Sequence, residues 1–395
     1  YISKSIRLFI FEFAPSIGID SMRDVSVSKI KHCANYVNPD ILGQVDSYKG
    51  VPYIADGRIA NVKDATTLSI FEDYVTDELY PYAYRADERG NAIIQNFYKL
   101  AREKYTLNET KSKYKYIIRE WGAPSDSISN YFTEDIRAKC QFGKFRTYYD
   151  AYKHLTTDQL LSDQYTPRER HDLLYSSPGV KTCNNFNEMF SVVCIDTAAN
   201  IMGTTSESMK IIDPSAGWGD RLISAMARNV KEYQGYDPNE ALSTRYQSII
   251  ETLPHKKGRI YDIEIVPFEE SSPEEGHYDL LLTSPPFFDL EKYSDDETQS
   301  NVRYSSLKDW KAFYRNYIEK GIESLRDGGI AILYVDTHHN SLKLEQATRL
   351  YLEEFNVKYV TKVGFIHSDE DKAVADSAGA KVNEKNVRWA LVYQK

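Results

Sequence analysis

Two short stretches of this chain combine residue types that can do chemistry together. The first is Ile211-Ile212-Asp213-Pro214-Ser215-Ala216-Gly217-Trp218-Gly219-Asp220-Arg221, a buried-strand pattern running into a glycine turn that opens a helix. Glycine at 217 and 219 lets the backbone approach a ligand closely, because a Cβ there would take up the ligand's space. Asp213 stands at the carboxyl end of this strand. Asp237 ends the next strand-like run, at roughly the 20-residue spacing that lets an acidic side chain take the two hydroxyls of a ribose. Position 222 is Leu, so the third glycine of a pyrophosphate-binding turn is missing and a dinucleotide is disfavoured. The second stretch is Tyr278-Asp279-Leu280-Leu281-Leu282-Thr283-Ser284-Pro285-Pro286-Phe287-Phe288-Asp289, a buried strand ending in a stiff corner. Two prolines fix φ and carry no N–H, so this corner presents carbonyl oxygens that local hydrogen bonds do not consume. Those oxygens and the Ser284 side chain can accept from an –NH₂ group while Phe287 stacks on the flat ring that bears it. An amine conjugated into a ring is a poor nucleophile, and acceptors aimed at its hydrogens pull it toward tetrahedral geometry and free its lone pair.

Together the two stretches resemble S-adenosylmethionine-dependent amino methyltransferases, which methylate adenine N6 or cytosine N4 in DNA. The glycine loop precedes the corner, which is similar to the order of the gamma-type members, and the resemblance spans about Asp213 to Val335. It implies S-adenosyl-L-methionine as cofactor, held by Asp213, Ser215, Ala216, Gly217, Gly219, Asp237 and Asp262. Asp213 would bind the ammonium through ordered groups, and Asp262 would serve the adenine amine, with Glu264 as its competitor. Ser284, Pro285, Pro286 and Phe287 would be the catalytic corner, acting on a base flipped out of duplex DNA. Members usually carry Asn-Pro-Pro-Tyr. Ser is more often associated with cytosine N4 but occurs with adenine too, which leaves the base open, and Phe287 keeps the stacking face of Tyr. An upstream element that closes the cofactor pocket is expected at Thr182-Cys183-Asn184-Asn185-Phe186-Asn187 or at Tyr165-Thr166-Pro167. The same motif would also suit an amine of RNA or a protein glutamine amide, and an inactive structural subunit is the alternative of another class.

The elements that must position these residues follow from hydrophobic periodicity. From about Met209 the chain alternates short β-branched runs with helical patterns, as a doubly wound, mostly parallel sheet does. Strands are expected at Met209–Asp213, Tyr233–Tyr236, Arg259–Glu264, Tyr278–Thr283 and Ile330–Val335, and helices at Asp220–Asn229, Glu240–Leu253 and Leu307–Leu325. In the last of these, Trp310, Phe313, Tyr314, Tyr317 and Ile318 recur at steps of three and four. Val357–Phe365 and Arg388–Tyr393 would close a seven-stranded, Rossmann-like methyltransferase sheet as an antiparallel pair. Before residue 150 the pattern is mixed: Arg7–Phe13 and Pro52–Ala55 read as strands, Ile93–Tyr105 and Ser112–Trp121 as helices. The expected organisation is an α+β domain over 1–155, a connecting segment over 156–205 that contributes to the cofactor pocket, and the catalytic domain over 206–395. The loop from Phe288 to Ser300 would shape the target pocket.

At the scale of the chain, 395 residues at 42% hydrophobic and 27% charged are ordinary for a soluble globular protein. No apolar run approaches the roughly 20 residues of a membrane span, and the opening lacks the apolar centre of a signal peptide, so an intracellular protein is expected. The start at Tyr1 rather than Met suggests a trimmed or incomplete beginning. Cys33, Cys140, Cys183 and Cys194 are too scattered for a disulfide framework or zinc site and read as reduced thiols. None follows a proline, which disfavours methylation at a ring carbon. His338 and His339 have no partner carboxylate at a metal-binding spacing, and no metal is expected. A net charge of −9 argues against coating nucleic acid by bulk electrostatics. Charge is uneven, however: between Lys99 and Lys153 stand 12 Lys or Arg against 7 Asp or Glu, interleaved with aromatics. Lys111, Lys113, Lys115, Arg119, Lys144 and Arg146 are the candidate contacts to DNA in this basic insert.

Overall fold

The computed structural model describes residues 53–55, 58–60, 90–118, 128–148, 178–181, 183, 187–288, 291–294, 296–335, 344–366, 384 and 387–395. The expected elements at Arg7–Phe13, Tyr165-Thr166-Pro167 and Asp336 to His339 lie outside these residues. The chain divides into two compact units, one of Tyr1–Arg85 with Lys144–Thr182 and one of Ala86–Gly143 with Cys183–Lys395. In the first, β1 (Tyr53–Ala55) and β2 (Arg58–Ala60) form an antiparallel hairpin, and Arg146 bridges Val180 in parallel.

The second unit holds the sheet. In chain order its elements are α1 (Gly90–Arg102), β3 (Asn108–Glu109), β4 (Lys115–Ile118), α2 (Ile128–Arg137), β5 (Gln141–Phe142), α3 (Glu188–Met202), β6 (Lys210–Asp213), α4 (Asp220–Ala227), β7 (Glu232–Tyr236), α5 (Ser243–Thr252), β8 (Ile260–Glu264), β9 (Tyr278–Thr283), β10 (Glu291–Lys292), α6 (Ser300–Arg303), α7 (Leu307–Ser324), β11 (Leu325–Tyr334), α8 (Leu344–Glu354), β12 (Lys358–Ile366) and β13 (Arg388–Gln394). Nine strands run in the order β3-β4-β12-β13-β11-β9-β6-β7-β8. β8, β7, β6, β9 and β11 are parallel, and β13 is inserted antiparallel between β11 and β12. The centre is apolar on both faces, with Ile211, Ile212, Leu280, Leu281, Leu282, Ile330 and Ile332 all buried, as a parallel sheet covered on both sides requires. Alternation splits the work. Leu281, Ala331 and Leu333 join the Trp310, Phe313, Tyr314, Tyr317 and Ile318 stripe of α7 in one core cluster. Tyr334, of the other parity, meets Phe190 of α3 edge-on at 6.3 Å.

Two expectations are corrected. The run read as a helix at Ser112–Trp121 contains β4, which pairs in parallel with β12 from Lys115↔Val363 to Ile118↔Ile366. Tyr116 is buried with Ile366, Val387 and Trp389, so an available sheet edge outweighs local helical spacing, and among the described residues β3 and β4 extend the expected seven strands to nine. The domain limits at 155 and 205 also move. Ala86–Gly143 falls in the same compact unit as the nine-stranded sheet, and so does α3, placed in the connecting segment.

Candidate active site

The carboxyl ends of the parallel strands open into one cavity within the second unit. Both chemistry-bearing stretches reach it: Ser215, Gly217 and Trp218 from the glycine turn, Ser284, Pro286 and Phe287 from the proline corner. Pro285 is buried beside them and does not line the cavity. The turn has this shape because Gly217 and Gly219 both hold positive φ, +57° and +84°. Gly217 thereby points its N–H at Asp237 Oδ2, 2.8 Å away, and the Ala216 N–H donates to the Tyr236 carbonyl at 2.8 Å. Gly219 has a packing reason as well. A Cβ there would lie 2.7 Å from Ile249 Cδ1 of α5, so this glycine lets the turn lie close against that helix. Ala216 is likewise a packing residue, buried and off the cavity wall.

Asp237 lines the cavity although it is almost wholly buried. Its other oxygen accepts from the Asn239 N–H at 2.9 Å. Burial pushes its carboxyl up to about 6, against the pull of the Asn239 and Gly217 N–H groups, which favour the ionised form. Asp213 does not reach the cavity. It is 0% exposed and lies beneath the turn, accepting from Arg221 Nε at 2.7 Å, from the Tyr233 hydroxyl at 2.7 Å and from the Ser215 N–H at 3.2 Å. Its place is to lock the turn, and Arg221, whose guanidinium also donates to the Ser215 carbonyl, stands on the cavity wall instead. Asp262 and Glu264 are exposed along β8 and off the wall. The residues after the strand, Pro267, Phe268 and Glu269, line the cavity.

One side chain ties the two stretches together. The Tyr317 hydroxyl shares hydrogen bonds with Ser215 Oγ at 2.8 Å and with Thr283 Oγ1, the residue before the corner, at 3.0 Å. Its sequence signal was the apolar stripe of α7, which marks burial; a buried tyrosine also needs a partner for its hydroxyl. Asp220, the first residue of α4, was missed as well. It lines the cavity, accepts from Ser129 Oγ at 2.7 Å, and burial, then the charge of Glu188, pushes its carboxyl well up. Asn187 reaches the wall from the upstream segment 182–187, while 182 and 184–186 lie outside the described residues.

The basic insert is divided. Lys111, Lys113 and Lys115 are exposed on the β3–β4 hairpin of the second unit, where Lys115 pairs with Glu109. Lys144 and Arg146 are exposed in the first unit, and Arg119 lies outside the described residues. The interleaved aromatics are partly structural: Tyr116 is buried and Tyr114 meets Trp389 edge-on at 5.6 Å. Among the described residues no group of His, Cys, Asp and Glu could hold a metal ion, and no helix is long and apolar enough to cross a membrane.

Five parallel strands with an antiparallel strand inserted beside the last define the α/β, Rossmann-like methyltransferase fold. No protein-family model matches the chain, and no curated protein sequence does. Solved structures similar to it include a TehB-like S-adenosylmethionine-dependent methyltransferase from Corynebacterium glutamicum, 12% identical with a TM-score of 0.34 over 58% of this chain and 95% of that one. Another is a 1,6-didemethyltoxoflavin-N1-methyltransferase from Burkholderia thailandensis, 11% identical with a TM-score of 0.34 over 53% and 79%. A third is an S-adenosylmethionine-dependent methyltransferase from Mesorhizobium loti, 12% identical with a TM-score of 0.32 over 51% and 98%.

Proposed function

We propose that this protein transfers a methyl group from S-adenosyl-L-methionine to the exocyclic amine of adenine (N6) or cytosine (N4) in DNA. The observation that carries this reading is the meeting of the glycine turn and the Ser284-Pro285-Pro286-Phe287 corner in one cavity, joined beneath by Tyr317. The donor set fits the cofactor: a buried carboxylate at Asp237 to accept from a ribose diol, backbone brought close at Gly217, and Phe268 beside them as an apolar wall. When bound, the cofactor supplies an electrophilic methyl on a positively charged sulfur. The chain's own part is positioning. Ser284 and the carbonyls of the proline corner accept from the –NH₂, turning its lone pair outward, and Phe287 takes the plane of the base. No strong base is required, because the product ammonium sheds its proton readily. A base in duplex DNA must be flipped out to reach the corner. Lys111, Lys113, Lys115, Arg119, Lys144 and Arg146 are proposed to meet the phosphates.

The test is incubation with labelled cofactor and unmethylated DNA, followed by digestion to nucleosides and mass spectrometry. N6-methyladenine or N4-methylcytosine is the expected product. Label in RNA or in a glutamine amide, with none in DNA, would reassign the acceptor, and a chain that neither binds the cofactor nor transfers label would be a scaffold.

A further inference from the structure

The segment after the proline corner does not stay beside it. The Tyr293 ring meets Trp218 of the glycine turn edge-on at 6.2 Å, the Thr298 hydroxyl, which donates to Asp296 Oδ1 at 2.6 Å, stands 3.3 Å from the Pro238 carbonyl, and the Tyr304 hydroxyl donates to Glu269 Oε1 at 2.9 Å. Tyr293, Thr298 and Tyr304 therefore stand against the loops that follow β6, β7 and β8, on the Asp237 half of the cavity. In the middle of this run stands Gln299. It lines the cavity, it is only 4% exposed, and its Nε2 is buried with no hydrogen-bond partner among the described residues. Its backbone is already used: the N–H donates to the Asp296 carbonyl, and the carbonyl accepts from the N–H groups of Val302 and Arg303. The side-chain Nε2 is unspent. Buried donors are rarely left so unless an absent group supplies the acceptor.

We propose that Gln299 is a cofactor-binding residue whose Nε2 donates to a ribose hydroxyl oxygen of the adenosyl group; this rests on reading the cavity as the S-adenosylmethionine site. The chemistry is complementary. Each ribose hydroxyl offers one proton and two lone pairs. Asp237, which has no proton to give when ionised, takes the protons of the diol, and Gln299 serves a lone pair that Asp237 cannot. The 3.3 Å approach of Thr298 to Pro238 places this amide one residue along from Asp237's own neighbour.

The test is calorimetric titration of the full chain with S-adenosylhomocysteine and with its 2′-deoxy and 3′-deoxy analogues. Gln299→Leu is expected to bind S-adenosylhomocysteine about 10-fold more weakly than wild type, and to lose nothing on the one deoxy analogue that lacks the oxygen it bonds. Without ligand, Gln299→Leu should melt no lower than wild type, because the substitution removes a buried unpaired amide. Gln299→Met should behave in the same way. Binding by both variants within twofold of wild type, equal losses on all three ligands, or a clearly lower melting temperature in both variants would overturn the inference. Failure of the wild-type chain to bind S-adenosylhomocysteine would instead overturn the cofactor reading, and this inference with it.

Discussion

At the scale of single residues, one buried hydroxyl couples the two halves of the site. Tyr317 is 2% exposed, and its hydroxyl is the shared partner of Ser215 and Thr283. Tyr317→Phe strands both hydroxyls, which should cost about 1–3 kcal/mol of stability in chemical denaturation. It also frees the glycine turn and the proline corner to shift against each other, and misplacement by about 1 Å can cost about 100-fold in rate. Turnover by Tyr317→Phe, measured well below its melting temperature, should fall at least about tenfold, with little change in S-adenosylhomocysteine affinity. Unchanged turnover would reduce Tyr317 to packing. Asp237 gives a second expectation, with its sign set by burial. Its carboxyl is raised from 3.8 to about 6, so the folded protein without ligand gives up stability as pH rises through that window, because the unfolded chain ionises first. A ligand that donates hydroxyls to the carboxylate reverses the preference. The thermal shift produced by S-adenosylhomocysteine should therefore grow between pH 5 and 7.5, and Asp237→Asn should flatten that growth. A shift independent of pH in the wild type would separate Asp237 from the ligand.

At the scale of elements, the turn between β6 and α4 shows what a sequence can and cannot carry. The two glycines, the acidic end of β7 and the proline corner were legible, because each is a local demand on backbone or charge. The reason for Gly219 was not, since it depends on Ile249, 30 residues away in sequence on α5. Asp213 shows the same limit: a strand-end carboxylate does not reveal in sequence that Arg221 and Tyr233 enclose it. β4 was unreadable for a third reason, as its four residues become a strand only against an edge formed some 250 positions later. Gly219→Ala should combine the strain of positive φ with the Ile249 contact and cost about 1–3 kcal/mol in chemical denaturation. Adding Ile249→Val removes the methyl that the new Cβ meets, so it should restore the steric share and leave the backbone share. Full restoration would mean that φ is not the constraint.

At the scale of the molecule, a chain of net charge −9 must hold a polyanion by local surface rather than by its overall field. The exposed lysines of the β3–β4 hairpin are attached directly to the catalytic sheet through β4 and β12, so a phosphate contact there would share a frame with the cavity. Lys115 is held by Glu109, an exposed pair of the kind that contributes little and yields readily to a competing phosphate. If Lys111, Lys113 and Lys115 each meet a phosphate, replacing all three with Ala should weaken DNA binding alike for all sequences. The slope of log K against log salt should then become shallower by about 0.9 for each lost contact on duplex DNA. S-adenosylhomocysteine affinity should stay at its wild-type value, because none of the three lines the cavity. Titrations of both proteins between about 50 and 200 mM salt measure the two slopes directly. An unchanged slope would remove the hairpin from the DNA surface, leaving the exposed Lys144 and Arg146 of the other unit as its proposed charges.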